Sequence, residues 1–225
     1  MSGSWDGWRD GQGAGGARIL VIGVGNVLWA DEGFGVRAAE AFAAVYETPE
    51  TVSVVDGGTQ GLYLVDFFRE HGRVIIFDAV DFGDAPGALR LVRDDEIPAF
   101  VTVRKVSLHQ AGLQDVIACA KLLGGCAAHM LLIGVQPVEL EDYGGSLRPP
   151  VHAAVAKSID IAAAQLRDWG VPVSRRDQGS ASEEVTAAAL ALERYEAERP
   201  GANEACRIGD ARVLAALADR LSVAD

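Results

Sequence analysis

Cysteine is scarce in this sequence. The chain has three, Cys119, Cys126 and Cys206, in 225 residues, and no two of them form a CxxC pair. So sparse and odd a set fits a reducing compartment and leaves no Cys-rich zinc pattern. Long apolar runs are also missing, since none reaches the ~20 residues that a membrane-spanning helix needs. The first 17 residues are Gly-rich and polar, without an apolar h-region. They read as a flexible leader and not as a signal peptide. Positive charge is in short supply, with 20 Lys and Arg against 32 Asp and Glu and a formal net charge of -12. That balance argues against nucleic acid as a partner, because phosphate contacts need clustered Lys and Arg. It argues equally against binding to an anionic membrane surface. A soluble, cytoplasmic protein is expected. The GxxxxGKS/T signature of a P-loop, the GxSxG nucleophile elbow and the HExxH zinc helix are all absent, which excludes the chemistries they carry.

What is present is an alternation of short apolar runs and helical patterns. "RILVIGV" (18–24), "VSVVD" (52–56), "RVIIFDAV" (73–80) and "HMLLIGVQ" (129–136) are continuous and β-branched, as suits strands covered on both faces. "GALRLVRDD" (87–95) is a further candidate at a sheet edge. Between them, "GFGVRAAEAFAAVYE", "GLYLVDFFRE" and "HQAGLQDVIACAKLLG" repeat apolar residues at helical spacing. "PPVHAAVAKSIDIAAAQLRDWG" is a long helix that opens on proline and closes on Gly170. The alternation predicts a three-layer α/β domain over residues 18–170. Residues 171–225 read as a linker, an Ala-rich helix near 182–198 and a last short helix near 209–222, with no assigned role.

The first strand runs into "GVGNVLWADEGFG", which resembles a dinucleotide-binding turn and then departs from it. GxGxxG fails at Leu28, and Gly33 and Gly35 come too late to repair the spacing. Gly23, Gly25 and Asp56 keep a nucleotide- or NAD-binding enzyme as an alternative. In an open α/β sheet the site lies at the carboxyl ends of the strands. Asp31 and Glu32 follow strand one, Asp56 closes strand two, Asp78 ends strand three, and His109 begins a helix. Each has a plainer use: Asp31, Glu32 or His109 can cap a helix, and Asp56 before two glycines can make a turn. Asp78 is harder to dismiss, since an acid after "VIIF" is badly placed for solvent. Taken jointly, carboxylates and an imidazole form a ligand set for a borderline divalent ion such as zinc or nickel. Cys119 lies mid-helix among apolar neighbours and reads as core.

Several ordered stretches resemble the [NiFe] hydrogenase maturation endopeptidases. They are "ILVIGVGNVLWADEGFGVR" (19–37), "VDGGTQGLYL" (55–64), "IIFDAVDFGDAPG" (75–87), "RDDEIP" (93–98), "SLHQAGLQDVIA" (107–118) and "LLIGVQPVELE" (131–141). The wording "WADEGFGVR" with "GGTQGLYL" is most similar to the proteases that serve membrane-bound uptake hydrogenases. The resemblance implies a mostly parallel, twisted five-stranded sheet flanked by helices. It implies an aspartic-type endopeptidase whose partner is the precursor of the hydrogenase large subunit, from which a short C-terminal extension is removed after nickel insertion. It carries the metal-binding and catalytic roles onto Glu32, Asp78 and His109; Asp31 and Asp56, placed at the same strand ends, read as supporting residues. The nickel is implied to be the substrate's own, and another divalent metal can substitute. Two mechanisms stay open: a Lewis acid that polarises the scissile carbonyl or generates hydroxide, and a carboxylate acting as general base. A non-catalytic checkpoint protein for the nickel site is a further possibility. The resemblance stops near residue 170, so the tail is expected to be dispensable for the chemistry. His71 and His152 are expected on the surface.

Overall fold

The computed structural model describes residues 18–97, 111–177, 185–186 and 190–198. Its centre is a five-stranded sheet built from β1 (Ile19–Val24), β3 (Val52–Gly58), β4 (Arg73–Ala79), β5 (Leu89–Arg93) and β6 (His129–Val135), in the order β3-β1-β4-β6-β5. β3, β1, β4 and β6 are parallel, and β5 joins antiparallel at the edge. A two-stranded ribbon pairs β2 (Tyr46–Glu47) with β7 (Ser174–Arg175). The helices are α1 (Phe34–Val45), α2 (Val65–Glu70), α3 (Ala111–Leu122), α4 (Pro149–Asp168) and α5 (Leu192–Glu198). The mixed, mostly parallel α/β architecture is the one the apolar runs predict.

Strand alternation divides the apolar side chains between two cores. Val21, Ile75, Phe77, Leu131 and Ile133 join the cluster beneath α1 and α4. Leu20, Ile22, Val74, Ile76 and Leu132 join the one beneath α2 and α3. The central strands are therefore buried on both faces, which is why they read as continuous apolar runs without alternation.

The connection after β1 enters α1 on one face, while the helices on the far side of β4 cover the other. Adjacent parallel strands whose connections diverge in this way open a crevice at their carboxyl ends. Glu32 follows β1 and Asp78 lies in β4, so both sit at that crevice.

Beyond Gly170 several of the described residues stay against the domain. Val171, Val173 and Val185 pack on the α1–α4 cluster, and the β2–β7 ribbon joins the end of α1 to this segment. Within the Ala-rich stretch, α5 covers 192–198. The leader, the helix expected near 209–222 and Cys206 lie outside the described residues.

Candidate active site

The glycine-rich turn is shaped by packing. A Cβ on Gly23 would stand 2.1 Å from the Gly35 carbonyl oxygen, and one on Gly25 would stand 1.9 Å from that of Glu32. A Cβ on Gly35 would meet the carbonyls of Val24 and Phe77 at 2.1 and 2.3 Å. These glycines let the first turn of α1 lie directly on β1 and β4. Gly35 thus does the helix–strand packing that the third glycine of GxGxxG would do, seven positions after Leu28, where that spacing would place it. The nearest atoms to these glycines are the protein's own backbone, so packing accounts for them without a nucleotide.

Asp31 and Glu32 sit side by side in a 3-10 turn, Ala30–Gly33, and neither side chain caps it. Their surroundings differ completely. Asp31 is fully buried (0 % exposed). Its Oδ2 accepts from the Val138 and Glu139 N–H groups at 2.8 and 2.9 Å, and its Oδ1 accepts from the Arg148 N–H at 2.7 Å. Arg148 is the N-cap of α4, so the carboxylate also stands at a positive helix end. Asp31 is a clamp that fastens the loop after β6 to the loop after β1. A second link lies on the same pair of loops, where Trp29 and Tyr143 form an isolated bridge and an edge-on aromatic pair 5.4 Å apart.

Glu32 is half-buried and lies near enough to Asp78 for its charge to act on that carboxyl. Asp78 is 6 % exposed and, by the alternation of β4, falls on the α2–α3 side of the sheet. Burial pushes its carboxyl up to about 8; the Ala79 N–H acts in the opposite direction, and the negative Glu32 raises it further. A carboxyl that keeps its proton near neutral pH beside a second carboxyl is an acid–base pair. It is also a pair of anionic ligands for a cation able to displace the proton.

Asp56 belongs elsewhere. Its Oδ1 accepts from the Gly58 N–H at 2.9 Å and closes the bend at the end of β3. Burial raises its carboxyl, while Gly58, the nearby Thr186 hydroxyl and the Arg37 guanidinium lower it. Thr186 Oγ1 itself lies outside good hydrogen-bond geometry to any described residue, so proximity, not a formed bond, is what links it to Asp56. In β3, Val52 and Val54 point to the α1 side, and Asp56 follows in phase. It therefore lies across the sheet from Asp78.

His109 lies outside the described residues, and among the described residues no three His, Cys, Asp or Glu side chains are grouped to hold a metal ion. His71 corrects a sequence expectation. It is buried, not on the surface, with Nδ1 2.8 Å from the Phe67 carbonyl and its ring stacked on Phe67. His152 is exposed as expected. Cys119 and Cys126 are half-buried against the α2–α3 core, and burial pushes the Cys126 thiol up, away from a nucleophilic role.

The sequence did not mark Gln136. Its buried side chain accepts from the Phe82 and Asp84 N–H groups at 2.7 and 3.1 Å and donates to Asp81 at 2.9 Å. It ties the loop that follows Asp78 to the end of β6. Only its position at a strand end next to proline hinted at this.

The hydrogenase maturation protease family model matches residues 36–165. The hydrogenase expression/formation protein HupD of Rhodobacter capsulatus is 54% identical over 195 residues, 87% of this chain and 92% of that one. The hydrogenase 2 maturation protease of Escherichia coli is 40% identical over 161 residues, 71% of this chain and 97% of that one. The structure of the hydrogenase maturating endopeptidase HybD from E. coli superposes with a TM-score of 0.67 at 39% identity, covering 71% of this chain and 98% of that one. The chain belongs to the hydrogenase maturation protease family. It is a peptidase, and its likeness extends to the HupD relatives as well as to the shorter proteases.

Proposed function

We propose that this protein removes the C-terminal extension of the [NiFe] hydrogenase large-subunit precursor once nickel has been inserted. In this reading Glu32, Asp78 and His109 recognise the substrate's nickel, and another divalent metal can take its place. The observation that carries the reading is the carboxyl pair at the crevice: Asp78, buried and raised to about 8, with the charge of Glu32 acting on it. Burying an acid there costs stability and has no structural return, since the core on either side is apolar. Family membership supports the rest.

The division of labour follows from the donor set. Glu32 supplies a half-buried carboxylate, Asp78 a carboxyl that gives up its proton on meeting the cation, and His109 a nitrogen donor. Asp31 and Gln136 hold the two loops that present Glu32 and Asp78. With carboxylates at the site, the enzyme is of the aspartic type in residue class. It works in the cytoplasm, where the precursor is assembled; among the described residues no helix is long and apolar enough to cross a membrane.

The test is direct. Nickel-loaded and nickel-free precursor are incubated with purified protein, and the released C-terminal peptide is followed by mass spectrometry. Cleavage of the loaded precursor alone is expected. Binding of the precursor without cleavage would replace the protease reading with a checkpoint role.

A further inference from the structure

Val185 packs on the α1–α4 core, and residues 190–198 are held on the same side of the domain by polar and ring contacts. The tie is Arg37, buried on α1. Its Nη1 donates to the Leu190 carbonyl at 2.5 Å and to Glu40 at 2.9 Å, and its guanidinium lies 5.5 Å from the centre of the Tyr195 ring. Further along, the Tyr195 hydroxyl donates to the Gly145 carbonyl at 3.4 Å and the Ser146 hydroxyl donates to Glu196 Oε1 at 2.5 Å. Gly145 and Ser146 lie on the loop after β6 that Asp31 clamps. An unbroken series of contacts therefore runs from α5 through this loop to Asp31, the neighbour of Glu32.

α5 buries none of its own residues, so burial of apolar surface is not what this helix contributes. What it does is fix a surface beside the loop after β6, next to the exposed Val138 and Tyr143. The lengths of the relatives bear on its use. A match spanning 195 of 225 residues necessarily includes residues 31–195, and with them Thr186, Leu190 and Tyr195. In the E. coli hydrogenase 2 maturation protease, 161 residues already make up 97% of the protein. A match of that length beginning at β1 ends near residue 179, short of residues 190–198. The segment is thus matched in the R. capsulatus HupD and is separable from the family's chemistry.

We infer that residues 190–198 form a specificity strap which, with the loop after β6, presents the face on which the folded cognate precursor rests, leaving the chemistry to the crevice. This rests on the protease reading above. The occupant is the precursor protein itself, because the strap ends on the loop that walls the Glu32 side of the crevice.

The test uses the full chain and nickel-loaded precursor at varied concentration. Tyr195→Ala removes the ring over Arg37 and the hydroxyl on Gly145. Glu193→Arg with Ala197→Arg leaves these anchors intact and crowds the exposed side of α5. In at least one of the two, the KM for precursor is expected to rise about tenfold with kcat within twofold of wild type, the signature of lost docking and intact chemistry. An unchanged KM in both, or a fall in kcat alone, overturns the strap's role. If wild-type protein does not cleave the loaded precursor, the protease reading itself has failed, and that outcome is separate from the other two.

Discussion

Replacing Asp31 with alanine separates two adjacent acids that look alike in the sequence. Asp31 is fully buried and accepts three backbone N–H groups, at 2.7, 2.8 and 2.9 Å. Hydrogen bonds to a charged group contribute about 1.5–3 kcal/mol each, and stranding a buried N–H costs about 1–3 kcal/mol. Three such bonds do not add in full: the carboxylate recovers its own desolvation when removed, and water reaches the rim of the loop. A net loss of about 3–5 kcal/mol is expected, with the helix-end interaction at Arg148 included. That is a large share of a typical stability of about 5–15 kcal/mol. Asp31→Asn keeps one acceptor and turns a donor toward a donor, so about 2–3 kcal/mol is expected. Glu32→Gln, one residue away and half-buried, should change stability by less than about 1 kcal/mol. Urea unfolding followed by circular dichroism, with slopes compared across the three variants, gives the numbers. A loss under about 1 kcal/mol for Asp31→Ala with an unchanged slope would refute the clamp.

Glu32→Gln, Asp78→Asn and His109→Ala should each abolish accumulation of processed large subunit in cells while the protein stays folded; processing at the wild-type rate in all three would remove these residues from the site. His152→Ala is the matched control and should process normally, whereas His71, being buried, is not a control and its alanine variant should lower the thermal midpoint. Asp78 makes stability depend on pH. Its folded-state value of about 8 lies above the ordinary 3.8, so the stabilising proton is fully present below 3.8 and is lost as pH rises through 8. Between these limits wild type should lose about 1.4 kcal/mol per pH unit relative to Asp78→Asn. Parallel urea midpoints for the two proteins at pH 5 and pH 8 would show that Asp78 is not held protonated. Gly25→Ala should fail to fold well, since its Cβ would meet the Glu32 carbonyl at 1.9 Å in a backbone at φ +131°; a stable variant would mean that the turn can open.

The sequence by itself determined the layers. Continuous β-branched runs separated by helical periodicity leave few choices other than strands buried on both faces, and the ends of those runs fall within two residues of β1, β3, β4 and β6. It also marked Asp78, because an acid that closes an apolar strand has few uses other than a site. What it could not settle was which way each acid faces. Asp56 and Asp78 both end strands, but the phase of the alternation puts one toward α1 and the other toward α3, a distinction fixed by register across the sheet. Asp31 and Glu32 are neighbours in a single turn, and only the arrival of the loop after β6, more than a hundred residues later, makes one a clamp and leaves the other for the crevice. Gly35 and Gln136 act through contacts with distant backbone, which no local pattern records. His71 reads as a surface turn until Phe67 and the α2–α3 core close over it. Local propensity wrote the elements; the long-range packing of loops at the carboxyl edge decided the chemistry each side chain can take part in.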